Sequence, residues 1–323
     1  DSAAAVFTSN RAQANPIIWS RQAIADGRAR AIVLNSGGAN CFTGHQGFQT
    51  THATAEAVAE QLSVGAGEVL VCSTGLIGEQ LDRERLLAGV AAAAEALTDD
   101  GGADAARAIM TTDSVPKTAE HRDDAGWSIG GIAKGAGMLA PGLATMLVVI
   151  TTDAALDSAA LDRSLREATR LSFDRLDSDG CMSTNDQVTL MASGASGVTP
   201  DEHDFTLALV DVCMSLALQL QRDAEGASHD IQIHVRGAAS EDDAVEVGRS
   251  VARNNLFKAA IFGNDPNWGR VLAAIGTTQA AFDPYDVDVT MNGVRVCTAG
   301  GPDRPRDEVD LSPRVVTLEI DLK

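Results

Sequence analysis

A threonine sits at an unusual place in this chain. Lys134-Gly-Ala-Gly-Met138 opens a stretch of small residues that runs through Leu-Ala-Pro-Gly-Leu-Ala to Thr145, directly before the apolar run Met146 to Thr151. Taken alone, such a Gly-rich run reads as a connection into a buried strand. No GK[ST] closes it into a phosphate loop, and it lacks the GxGxxG spacing of a dinucleotide site. Cys72-Ser73-Thr74-Gly75 breaks a second apolar run. A turn at a strand's C-terminal end can aim a hydroxyl or a backbone N–H into a crevice. Asp223-Ala-Glu225-Gly226-Ala227 places two carboxylates between a long apolar helix and a strand, where a solvated acidic loop is the plainer reading. Gly263-Asn-Asp-Pro-Asn-Trp-Gly-Arg270 surrounds a Trp and an Arg with turn residues.

The elements that position these segments follow from periodicity. Ala31–Asn35 and Glu68–Cys72 read as buried strands, and Met146–Thr152 as a third. Asp230–Arg236, Asp286–Met291 and Arg314–Leu322 alternate with period two. Helical spacing covers Thr54–Leu62, Leu86–Leu97, Leu161–Leu171 and Phe205–Gln221, and a further helix starts at Ser240 with Asp243 three residues on. The expected fold is α/β (α+β), with helices packed on β-rich layers in a sandwich-like arrangement.

Composition bounds the function. The 323 residues are 45% apolar but only 4% aromatic, so Ala, Val, Leu and Ile must fill the core. A net charge of -20 with no Lys/Arg run argues against nucleic-acid binding. The five cysteines are widely spaced without a CxxC, which predicts reduced thiols, no zinc site and a cytoplasmic location. Cys72 and Cys213 lie in apolar runs and read as core residues. The N-terminus lacks the regions of a signal peptide, and the apolar run from Leu139 to Ile150 is too short for a membrane span.

Together, KGAGMLAPGLATMLVVITTDA, VCSTGLIGEQL, TTDSVPK, DAEGA and FGNDPNWGRVLAAIG resemble the ornithine acetyltransferase family, the glutamate N-acetyltransferases of arginine biosynthesis. The resemblance follows the family's order along essentially the whole chain. Members carry further residues before the segment resembling VFTSNRAQANP, and a C-terminal tail with an active-site asparagine that would lie beyond Lys323.

The resemblance implies self-cleavage between Ala144 and Thr145, giving an α chain of residues 1–144 and a β chain of residues 145–323. Thr145 would become an N-terminal nucleophile. A hydroxyl needs a nearby base, and a free α-amino group, with a reference pKa of ~7.7–8.0, supplies one. None of the six histidines shows a motif placing it beside Thr145. Thr74 and Gly75 match the family's oxyanion hole, and Thr111, Lys134, Thr145 and Glu225 its substrate positions. A positive Lys134 suits a substrate α-carboxylate, and a negative Glu225 suits the δ-ammonium of ornithine. The implied reaction is ping-pong transfer of acetyl from N2-acetyl-L-ornithine to L-glutamate, with no metal or organic cofactor and with two αβ units paired as a heterotetramer. Some relatives also use acetyl-CoA as donor, which the sequence leaves open. Two other readings remain open at this point: an N-terminal-nucleophile amidase or aminopeptidase, in which water replaces glutamate, and a non-enzymatic small-molecule-binding protein.

Overall fold

The computed structural model describes residues 1–140 and 146–323. The chain forms two compact units, residues 1–176 with 181–225, and residues 177–180 with 226–323. The first contains β1 (Ser2–Phe7), α1 (Asn15–Ala23), β2 (Ala31–Asn35), α2 (Gly44–Leu62), β3 (Val69–Ser73), α3 (Arg83–Glu95), α4 (Gly102–Ala108), β4 (Lys117–Arg122), β5 (Ser128–Lys134), β6 (Leu147–Thr152), α5 (Ser158–Leu171), β7 (Gln187–Ala192) and α6 (Glu202–Arg222). The second contains β8 (Asp230–Arg236), α7 (Glu241–Ala252), α8 (Asn255–Phe262), α9 (Trp268–Ile275), β9 (Asp288–Met291), β10 (Val294–Thr298), β11 (Gly301–Pro302) and β12 (Val315–Asp321).

In the first unit, a five-stranded sheet runs β1-β7-β6-β5-β4, and a separate parallel pair joins β2 to β3. Strand β6 lies between antiparallel β5 and parallel β7, pairing Ile132 with Val149 and Ile150 with Leu190. Helices α5 and α6 pack on each other, α5 against β1 and α6 against β4 and β5. The buried side chains of α6, Phe205, Leu209, Val212, Leu216 and Leu220, recur every three or four residues and form one stripe. Each such side chain contributes roughly 1.5–3 kcal/mol on leaving water. Among the described residues α6 alone has the length and apolar composition to cross a membrane. Its stripe is instead spent on the core, with Trp127, Ile129, Ile150 and Leu190.

The second unit has a five-stranded sheet in the order β11-β10-β9-β12-β8. Its core joins Val289, Met291, Val316, Leu318 and Ile320 of the sheet to Val247, Phe257 and Val271 of the helices. Ser240 caps α7 by accepting the Asp243 N–H, as the sequence predicts. The expected fold class is the one observed. Cys72 and Cys213 are buried, as predicted, and burial pushes both thiols up to about 12.

The 144/145 boundary predicted from sequence does not coincide with the boundary between the units. It falls inside the first unit, between β5 and β6. A chain cut there would leave β5 and β6 hydrogen-bonded along six residue pairs, and β1 still paired with β7.

Candidate active site

Strands β2 and β3 run parallel with Asn35 opposite Ser73, so the turns that follow both strands lie together. The Thr74 N–H donates to the Asn35 carbonyl at 3.0 Å, and the Ala39 N–H to that of Leu76 at 2.8 Å. Gly75 adopts φ +129°, and a Cβ there would fall 2.7 Å from the Gly38 nitrogen. Only glycine fits a backbone so placed. The Thr74 N–H is thus committed to Asn35, and its side chain is buried.

Lys134 ends β5, is buried, and donates from Nζ to Thr74 Oγ1 at 3.1 Å. A cation on that oxygen polarises the hydroxyl and strengthens it as a donor. Burial lowers the Lys134 pKa and nearby Lys117 lowers it further, while Asp113, Asp186 and Glu225 pull it back up.

The backbone after Lys134 is tied to two acidic loops. The Gly135 N–H donates to Asp113 Oδ1 at 2.7 Å, and the Thr111 N–H to Asp113 Oδ2 at 3.1 Å. The Glu225 N–H donates to the Ala136 carbonyl at 2.8 Å. Gly137 lies so close to Glu225 that a Cβ would stand 3.2 Å from its carboxyl group. Thr111 and Glu225 are both exposed. The structure therefore gathers Thr74, Gly75, Thr111, Lys134 and Glu225 around one stretch of backbone. Ala144 and Thr145, the predicted cleavage pair, lie outside the described residues.

Beneath this surface, Lys117 is wholly buried and pairs with Asp113 and Asp223, each at 2.6 Å. Asp223 also accepts the Ser114 N–H and hydroxyl. Burial raises the Asp113 carboxyl, but the N–H groups of Gly135 and Thr111 and the Lys117 ammonium outweigh it and hold it below its ordinary value. Burial likewise raises Asp223, and Lys117 and Ser114 carry it below. These ion pairs tie the TTDSVPK and DAEGA segments together, which positions Thr111 and Glu225.

Sequence reasoning also missed Asn185 and Asp186. Asn185 Nδ2 donates to the carbonyls of Ala39, at 2.6 Å, and Ser73, at 2.8 Å. It thus clamps both turns beside Thr74. Asp186 accepts the Met146 N–H at 3.0 Å. The only signal in the sequence was a Thr-Asn-Asp turn before a strand, which solvated loops share.

The geometry offers a polarised hydroxyl, a glycine turn, a buried cation and an exposed carboxylate, a set suited to stabilising an oxyanion near an ammonium-bearing substrate. The ArgJ family model matches residues 1–323. The arginine biosynthesis bifunctional protein ArgJ of Streptomyces avermitilis is 62% identical over 320 residues, covering 99% of this chain and 83% of that protein. Its counterpart in Streptomyces coelicolor is 61% identical over 321 residues, covering 99% and 84%. The crystal structure of the arginine biosynthesis bifunctional protein ArgJ from Bacillus halodurans superposes with a TM-score of 0.50 at 32% identity, over 55% of this chain and 86% of that one.

Proposed function

The chain belongs to the ArgJ family, and from that premise we infer that it is a self-cleaving acetyltransferase that moves acetyl from N2-acetyl-L-ornithine to L-glutamate in arginine biosynthesis. The observation that best supports the site assignment is the 3.1 Å hydrogen bond from Lys134 to Thr74. It joins two motifs 60 positions apart at one hydroxyl.

The proposed chemistry runs as follows. The Thr145 hydroxyl attacks the acetyl carbonyl, and the α-amino group of the same residue takes its proton. The Thr74 hydroxyl and the Gly75 N–H hold the alkoxide that forms. Collapse breaks the C–N bond, the leaving nitrogen takes the proton, and ornithine departs. The glutamate amine then attacks the acetyl ester and regenerates Thr145. Lys134 meets the substrate α-carboxylate, Glu225 meets the δ-ammonium, and Thr111 is a further substrate contact. The cleaved α and β chains stay paired, two αβ units form a heterotetramer, and the enzyme works in the cytoplasm. No metal or organic cofactor enters these steps.

Glu225→Gln tests the substrate assignment. The amide keeps the shape and loses the charge. A charge-assisted hydrogen bond is worth roughly 1.5–3 kcal/mol against about 1 for a neutral one. The expected loss in kcat/KM with N-acetylornithine is therefore about tenfold. Initial rates with an uncharged N-acetyl amino acid should be unaffected, and self-cleavage should survive. An equal loss on both donors would remove Glu225 from ammonium recognition.

A further inference from the structure

Glu225 is held through its backbone alone. Its side chain is exposed and accepts no hydrogen bond among the described residues. Its N–H donates to the Ala136 carbonyl at 2.8 Å. The other anchor lies two residues upstream, where Asp223 ends α6 with its N–H on the Leu220 carbonyl at 3.2 Å. The Asp223 carboxylate grips the segment that leads into β4. Its Oδ2 accepts the Ser114 N–H at 2.9 Å and the Lys117 ammonium at 2.6 Å, and its Oδ1 accepts the Ser114 hydroxyl. One turn earlier in α6, Gln219 Oε1 accepts the Thr118 N–H at 3.2 Å, and Gln219 Nε2 donates to the Thr118 carbonyl at 2.9 Å. The last turn of α6 is thus zipped to the segment 114–118, and Glu225 follows directly. These anchors differ in what else they hold. Lys117 keeps Asp113 as a partner if Asp223 is lost. The exposed Ser114 side chain bonds to Asp223 and to no other described residue.

We propose that Ser114 and Asp223 are positioning residues that set the preference for donors bearing a side-chain ammonium, by fixing the backbone from which the Glu225 carboxylate reaches that group. The proposal rests on the reading of Glu225 as the ammonium's partner. A carboxylate on a segment free to shift must be ordered each time a donor binds, and that ordering weakens binding. The Ser114–Asp223 hydrogen bonds hold the segment in place beforehand. The acetyl group and the α-carboxylate of the donor are assigned to Thr74, Gly75 and Lys134, and the hydrogen bond that joins Lys134 to Thr74 involves neither Ser114 nor Asp223. The two residues therefore act on donor selectivity and leave the acyl-transfer chemistry alone.

Ser114→Ala removes the hydroxyl and changes no charge. Its kcat/KM with N-acetylornithine should fall about fivefold, the equivalent of one lost hydrogen bond. With an N-acetyl amino acid of uncharged side chain, kcat/KM should stay at the wild-type value. The loss should enter through KM with kcat unchanged, since ground state and transition state lose the same contact. Asp223→Asn should show the same selectivity with a loss of about tenfold, because one amide oxygen cannot replace two carboxylate oxygens. In a Glu225→Gln background neither substitution should add a further loss, since a residue acting through Glu225 has no charge left to position. An unchanged Ser114→Ala enzyme, equal losses on both donors, or losses additive to that of Glu225→Gln overturn the proposal. A loss confined to Asp223→Asn also overturns it, because the effect is then the pull of that charge on the ammonium. Should Asp223→Asn not fold, Ser114→Ala carries the test alone. A wild-type enzyme with no preference for the ammonium donor, or a Glu225→Gln variant that keeps the preference, overturns the reading of Glu225 itself. A preference lost in Glu225→Gln and kept in Ser114→Ala overturns only the positioning role.

Discussion

Thr74→Ala lowers kcat by about two to three powers of ten, the usual cost of one oxyanion-hole donor. The Thr74 N–H is engaged with Asn35, so this residue's donor is its hydroxyl, and alanine removes it. The fold should survive, because the β2–β3 pairing and the Asn185 clamp use backbone atoms that alanine retains. The loss should fall on kcat more than on KM, since the interaction strengthens only as the alkoxide forms. Self-cleavage should slow as well, because it passes through its own oxyanion. Thr74→Ser restores the hydroxyl and should recover most of the rate. Initial-rate kinetics on the mature variants decide the matter, and an unchanged kcat in Thr74→Ala would remove Thr74 from the mechanism.

Lys117→Met should cost about 3–5 kcal/mol, the penalty for stripping one partner from a buried ion pair. Here the loss strands two carboxylates, Asp113 and Asp223, both 2.6 Å from the missing ammonium. The apparent Tm should fall by on the order of 10 °C. Adding Asp113→Asn and Asp223→Asn removes the stranded charges and should recover much of the loss. Acid has a related effect. Both carboxyls titrate below their ordinary value in the folded state. Their stabilisation is present above the unfolded pKa of about 3.9 and is lost as pH falls through the lower folded values. Thermal melts at stepwise lower pH should show wild-type stability falling in that window, with a smaller drop in the triple variant. A penalty under about 1 kcal/mol for Lys117→Met would be that of a solvated surface pair.

Strands built from β-branched runs were legible in the sequence. Ala31–Asn35, Asp230–Arg236 and the core of Arg314–Leu322 fold as read. Others were not. Strand β1 is alanine-rich, a weak strand former, and exists because β7 pairs with it along its whole length. Strand β5 carries Gly130 and Gly131 at its centre, which erases the periodic signal. A Cβ at Gly131 would lie 3.0 Å from the Leu216 side chain, a tight contact to which that side chain would have to yield. At the site, Thr74, Lys134 and Glu225 were legible as parts of motifs, but the bond between Lys134 and Thr74 was not. Lys117 was least legible, since lysine is rarely buried and its second partner lies 106 positions away. Asp186 gave no local sign, because only the tertiary fold makes it a buried acid.

Denaturing mass spectrometry of the purified protein tests the central claim most directly. Two polypeptides are expected, the second beginning at Thr145, and they should copurify under native conditions because β5 and β6 share a sheet. Thr145→Ala should remain a single inactive chain. An intact wild-type chain, or a second polypeptide starting at any other residue, would contradict the account.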